Sequence, residues 1–283
     1  IVQVSMASLI PTLDSVSNVA VLTLARHLEL LPIGLFGVSF SQAALPSLSR
    51  NKDQEKVGEF KEIFLSSFRK ALFFVSPAAI ILLVLRIPAV RLAFGARRFS
   101  WKATVLTGYT VSFFALGVVF QSALHLLKRA FYALEKAQVP VFATLGFTVL
   151  GILMAWGLTQ GLGYGVWSVP LALSISAALE SVILFLLLER EIGIFDREEL
   201  LVPIAKIGWA TLISGIALYL PMRFLDKLIF DTTRVIGLLF LTGTVGLVGV
   251  SVYLILSWFL DVKEAKLFWQ YLLSRLGKLG IKV

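Results

Sequence analysis

Long apolar runs recur along this chain, and they constrain its fold more than any other feature. "ALFFVSPAAIILLVL" (71–85), "VSFFALGVVFQSALHLL" (111–127), "VFATLGFTVLGILMAWGL" (141–158) and "VPLALSISAALESVILFLLL" (169–188) are followed by "IGWATLISGIALYLP" and "IGLLFLTGTVGLVGVSVYLILSWFL". With their flanks, most reach the ~20 residues that a helix needs to cross ~30 Å of hydrocarbon. Composition agrees: 58% of residues are hydrophobic, 15% are charged and the mean hydropathy is +0.90, outside the range of soluble domains. Alternation at period two is weak, which argues against a transmembrane barrel. The chain reads as all-α, a polytopic transmembrane helix bundle.

Breakers divide the runs into a stub at 1–10 and helices near 15–48, 64–86, 103–131, 138–159, 165–189, 202–222 and 234–260. The chain opens at Ile1, inside an apolar run and without an initiator Met, so it reads as a fragment lacking an upstream part rather than as a start with a signal peptide. Lys and Arg indicate orientation, because short cytoplasmic loops retain them. Alternate connections and the tail hold seventeen of the 26, among them Arg50, Lys52, Lys61, Lys136, Arg197 and Lys278. The opposite side holds eight: Arg86, Arg91, Arg97, Arg98, Lys102, Arg223, Lys227 and Arg234. This asymmetry predicts a cytoplasmic C-terminus.

The net charge of +9 is spread over loops beside membrane helices, where anionic lipid attracts it, so membrane lipids are the expected partner and nucleic acid is not. Zero cysteines exclude disulfides, thiol catalysis and Cys-based zinc sites. Signatures such as HExxH or GxxxxGK[ST] are missing, and the two histidines, His27 and His125, are far apart in sequence. No catalytic residue, metal site or cofactor is therefore expected, and the chain does not read as an enzyme. Gly157, Gly161 and Gly165 fit the GxxxG spacing that lets helices approach, but Gly163 lies between them at a helix end, which favours an external turn.

One apolar stretch, "VLTLARHLELLPIGLFGVSF" (21–40), is interrupted by Arg26, His27 and Glu29. In a helix starting near residue 15, Arg26 stands ~16 Å in, close to mid-bilayer. A charge there costs at least ~2.5–3.5 kcal/mol on the insertion scale, so it should face the bundle interior or a wet cavity. Arg26 and Glu29 are three apart and can share a face. Two readings stay open: a structural ion pair locking two helices, or a cationic wall that recognises an anionic ligand. Pro32, with Gly34 and Gly37 behind it, is expected to break this helix, because proline removes a backbone bond and clashes with the preceding turn.

The stretches "ASLIP…SVSNVAVLTLARHLELLPIGLFGVSFSQAALPSLSR" (7–50), "FGARRFSWKATVLTGYTVSFFALGVVFQSALHLLKRAFYALEKAQVPV" (94–141) and "GLGYGVWSVPLALSISAALESVILFLLLERE" (161–191) resemble the MurJ/MviN family of bacterial lipid II flippases. That family sits within the multidrug/oligosaccharidyl-lipid/polysaccharide exporter superfamily. The resemblance runs on to "SWFLDVKEAKLF" and covers essentially the entire chain. It implies a fourteen-helix protein, with two six-helix lobes and a final pair, of which this chain matches the seventh helix onward. Residues 1–191 would be the C-terminal lobe with its first helix incomplete, 192–260 the extra pair and 261–283 a cytoplasmic amphipathic tail. The implied activity is alternating access that moves lipid II across the bacterial cytoplasmic (inner) membrane, with the missing N-terminal lobe as partner.

The resemblance places a functional arginine in an Ala-Asp-Arg-Leu tract before the kink proline. Counting back from Pro32 aligns that arginine with His27 and the aspartate with Arg26. The positive charge has either moved one position, ~100° around the helix, or His27 carries it when protonated. Some members bind sodium, but the aligned positions here are Gln3, Gly151 and Ala155, without hard oxygen ligands, so no metal is carried over. The candidate head-group contacts are Arg26, His27, Glu29, His125 and Arg129, the last two one turn apart on one face. Asn18, Gln42, Gln121, Glu180 and Ser181, also within spans, are expected to make interhelical hydrogen bonds. Lys128, Arg129, Glu135 and Lys136 read as cytoplasmic flank charges or an inner-gate contact. After Leu260, Ala265, Phe268, Trp269, Leu272, Leu276 and Leu279 share a face, as in an interfacial amphipathic helix. Alternative functions are a flippase for another polyprenyl-linked oligosaccharide, a cation-coupled drug exporter, or a non-transporting membrane scaffold.

Overall fold

The computed structural model describes residues 17–51, 54–95, 100–228 and 235–278. The stub at 1–10, Gln3, Arg97 and Arg98 lie outside them. In chain order the helices are α1 (Asn18–Pro32), a π-helical turn (Ile33–Val38), α2 (Ser39–Arg50), α3 (Val57–Val84), α4 (Arg86–Phe94), α5 (Trp101–Ala133), α6 (Gln138–Trp156), a second π-helical turn (Gly157–Gly161), α7 (Ser168–Ile192), α8 (Arg197–Leu228), α9 (Val235–Phe259) and α10 (Lys263–Lys278). Seven helical stretches are long and apolar enough to cross a membrane, with α1, the π turn and α2 forming one continuous span of 33 residues.

The helices overrun their apolar windows because polar ends can continue into the headgroup layer. Thus α3 begins at Val57 and α8 at Arg197, several residues before the hydropathy signal. Ser17 caps α1 by accepting from the Ala20 amide (3.4 Å), and Ser100 caps α5 by accepting from that of Ala103 (3.2 Å). At Pro32 the helix is continuous, and it is disturbed in the π turn, Ile33–Val38, that follows and contains Gly34 and Gly37. Pro46, Pro77, Pro203 and Pro221 also stand inside helices, as membrane packing permits.

Helix α5 is the axis, packing against α1, α2, α3, α4 and α7. Lipid offers no hydrophobic drive between helices, so close fit must hold them, and small residues make it. A Cβ at Gly117 would stand 2.5 Å from Ser174 Oγ on α7, and one at Gly37 would stand 2.8 Å from Ser122 Cβ. Hydroxyls join the helices at backbone carbonyls: Ser174 donates to Phe113 (2.7 Å), Ser176 to Phe147 (2.5 Å), Ser214 to Gly249 (2.7 Å) and Tyr253 to Phe73 (2.8 Å). Helix α6 leans on α7 and barely touches α5; its Phe142, Leu145, Val149 and Leu153 are exposed, as on a lipid-facing helix. Gly157 and Gly161 have open space where a Cβ would be, so they serve a turn rather than helix packing.

The tail helix α10 lies at the end of the bundle that carries Arg50 and Lys136, hereafter the tail end. Its Ala265 is buried, the Phe268 ring meets Phe74 of α3 edge-on at 6.1 Å, and Lys263, Lys266, Leu267 and Gln270 are exposed. Arg69 ties α10 to the bundle, its Nε 3.5 Å from Glu264 and an Nη donating to the Glu199 carbonyl at 3.1 Å.

Candidate functional site

Arg26 Nη1 pairs with Glu29 Oε2 at 2.9 Å on α1, one turn apart as the spacing predicts. The two partners differ in burial: the Arg26 side chain is 33% exposed and that of Glu29 is 0% exposed. Glu29 points between helices, where Gln121 Nε2 of α5 donates to its Oε1 at 2.5 Å. The Arg26 guanidinium lies 5.7 Å above the Phe114 ring, also on α5. The carboxylate is thus neutralised and anchored, and the cation rests at the rim of the packed interior with N–H donors to spare.

His27, next along α1, is exposed, as are Thr23, Leu30 and Leu31. The expected basic couple is therefore split: Arg26 faces its pair and His27 faces away from the core. On α5, His125 is exposed and Arg129 is half-buried with its guanidinium 6.0 Å from the Tyr132 ring. They continue the line of Gln121 along one face, at ~6 Å and ~12 Å toward the tail end. The structure joins Arg26 and Glu29 directly, and it connects them to the His125–Arg129 line only through Gln121. Gly34 has open space beside it, and Pro32 is buried.

A second buried acid answers to α5 from its other side. Glu180 of α7 pairs with Lys128 Nζ at 3.0 Å and accepts from Thr144 of α6 at 2.7 Å. Taking Gly117 opposite Ser174 as a common level, Gln121 is ~6 Å and Glu180 ~9 Å toward the tail end. Both carboxylates thus lie at nearly one depth, each held by a polar residue of α5. The sequence marks Gln121 and Glu180 as bonding candidates without naming their partners, and Phe114 carries no polar signal. Gly151 and Ala155 are buried side by side on α6, Gly151 against Ser176, and neither brings an oxygen-bearing side chain.

Continuous spans around one buried axis, with ionisable groups held inside and a cation left at the rim, define a multi-pass helical membrane protein. The family described as "Lipid II flippase MurJ" matches residues 1–256, and the chain belongs to this family. A "Probable lipid II flippase MurJ" of Thermotoga maritima is 30% identical over 248 residues, covering 87% of this chain and 47% of the relative. The "Lipid II flippase MurJ" of Thermosipho africanus is 27% identical over 233 residues, 82% of this chain and 43% of that protein. A solved structure, "Lipid II flippase MurJ, inward closed conformation", shares the fold with a TM-score of 0.73 at 23% identity, over 96% of this chain and 50% of its own. The chain spans about half the length of these relatives.

Proposed function

We propose that this chain is the C-terminal part of a lipid II flippase in the bacterial cytoplasmic membrane. Residues 1–191 are its C-terminal lobe, 192–260 the added pair and 261–283 a tail in the cytoplasm. The lobe is one wall of a cavity whose other wall is an N-terminal lobe, and rocking of the two carries the lipid-linked peptidoglycan precursor from the inner to the outer leaflet without covalent chemistry. An apolar groove of about 420 Å³ between α3, α5 and α8, lined by Leu72, Ala79, Phe120 and Ile207 among others, suits the hydrocarbon part of such a substrate.

The observation that carries this reading is the one-third exposure of Arg26 while its partner is fully buried. The bond lies within α1 and joins no two helices, and it leaves the guanidinium at the surface of the bundle. With Glu29 anchored from inside by Gln121, Arg26 offers donors to a pyrophosphate, and Arg129 adds a second cation toward the tail end. The rival reading, a static scaffold, rests on the same pair being formed.

The double variant Arg26→Gln with Glu29→Gln separates them, because it removes both charges and orphans neither. In the full-length protein, expressed in cells depleted of their own lipid II flippase, we expect near-normal membrane abundance and lost complementation. Full complementation at normal abundance would make the pair structural and remove Arg26 from the substrate path.

A further inference from the structure

Among the described residues, Arg86 and Arg91 at the α4 end of the bundle have no carboxylate partner, unlike several basic residues at the tail end. Between Glu62 and Glu135 the chain has no Asp or Glu. The described ion pairs other than Arg26–Glu29 join Arg69 to Glu264, Lys128 to Glu180, Lys136 to Glu191 and Lys266 to Asp261, all within the bundle or at its tail end. At the α4 end, Arg86 and Arg91 meet aromatic rings instead. The Arg86 guanidinium carbon stands 5.5 Å from the Tyr109 ring centre, and that of Arg91 stands 5.5 Å from the Trp101 ring centre.

Local packing fixes this arrangement. Helix α4 continues in the direction of α3 beside the opening turns of α5, with Ile87 against Gly108, where a Cβ would come within 3.1 Å of its Cγ1. Antiparallel packing then sets Arg86 opposite Tyr109 and Arg91 opposite Trp101. Both rings are open to the surroundings, Trp101 60% and Tyr109 51% exposed. Exposed Trp and Tyr at the end of a transmembrane helix mark the headgroup level. A cation–π contact of this kind consumes none of a guanidinium's N–H donors. Arg86 gives one donor to the Leu83 carbonyl at 3.2 Å, and the rest of its fork is uncommitted to any described acid.

We propose that α4 and the opening turns of α5 form a lipid-phosphate site, in which Arg86 and Arg91 each present a ring-backed fork to a phosphate of the surrounding leaflet. Trp101 and Tyr109 are eight residues apart, ~12 Å along α5 and so at different depths, too far for one diphosphate to bridge both arginines; Arg86, the deeper, meets a phosphate by extending outward. The occupants are therefore separate bilayer phospholipids rather than the head group of one transported molecule. The site is independent of which lipid the protein transports. It holds in either membrane orientation, and in the orientation proposed above it faces the outer leaflet.

The test is native mass spectrometry of the delipidated full-length protein titrated with phosphatidylglycerol, and in parallel with diacylglycerol of the same chains, which lacks the phosphate. Each basic side chain near a membrane surface contributes about fivefold to anionic lipid binding, so Arg86→Gln with Arg91→Gln should weaken phosphatidylglycerol retention about thirtyfold. Arg86→Lys with Arg91→Lys, which keeps the charge and loses the fork, should fall between this variant and the wild type and guards against a folding defect. Resistance to millimolar soluble pyrophosphate is expected for bilayer phospholipid, and displacement by it would reassign the site to diphosphate head groups and overturn this occupant. Unchanged phosphatidylglycerol retention in the glutamine variant, or equal retention of diacylglycerol, would overturn the site itself.

Discussion

Arg26 and Glu29 form one ion pair, yet removing either partner should have different consequences. Arg26→Gln leaves a carboxylate of 0% exposure with Gln121 as its remaining partner. Orphaning a buried charge costs about 3–5 kcal/mol. Glu29→Gln keeps an oxygen for Gln121 and leaves Arg26, already 33% exposed, free to turn outward, so its loss should be about 1 kcal/mol after solvent screening. The expected gap is therefore about 2–4 kcal/mol. Denaturant unfolding of the purified full-length variants in detergent measures it. If Glu29→Gln is the more damaging change, the assignment of Glu29 as the buried partner is wrong.

Gln121→Leu removes the only described interhelical donor to Glu29 and should destabilise by about 1–3 kcal/mol in the same unfolding assay; an unchanged midpoint would make that bond dispensable. Gly117→Ala forces a methyl onto Ser174 and should cost about 1–3 kcal/mol, partly recovered by adding Ser174→Gly, so failure of any recovery would locate the strain elsewhere. Because the chain has zero cysteines, single cysteines at Lys56 and Lys266 should resist a membrane-impermeant thiol reagent in intact cells while one at Ala93 reacts, and the reverse pattern would invert the proposed topology.

The spans were legible because hydropathy over a window of about 20 residues is itself the physical requirement for crossing a bilayer. Helix α4 was not. Its "RIPAVRLAF" starts at the end of the span read at 64–86, in a stretch that reads as a connection, and only the backbone shows a second helix starting after Leu85 and packing antiparallel to the opening turns of α5. The disturbance after Pro32 takes the form of a π turn rather than a break in the chain, a detail that no sequence rule for proline specifies. The Arg26–Glu29 pair was visible from its i, i+3 spacing, a local property. The Gln121 donor joins residues 92 positions apart, and no local pattern encodes that α1 lies against α5. The same holds for Lys128 and Glu180, each a plausible lone charge until α5 and α7 are packed.

Hydroxyl-to-carbonyl joints such as Tyr253 to Phe73 and Ser174 to Phe113 have a consequence for how such chains diverge. The acceptor is main chain, present whatever residue occupies the position, so the accepting helix can change its side chains without breaking the bond. Selection on these joints acts on one position of each pair alone. Correlated substitution across related sequences should therefore be silent at 73 with 253 and at 113 with 174. It should appear at 26 with 29 and at 128 with 180, where each side chain needs the other.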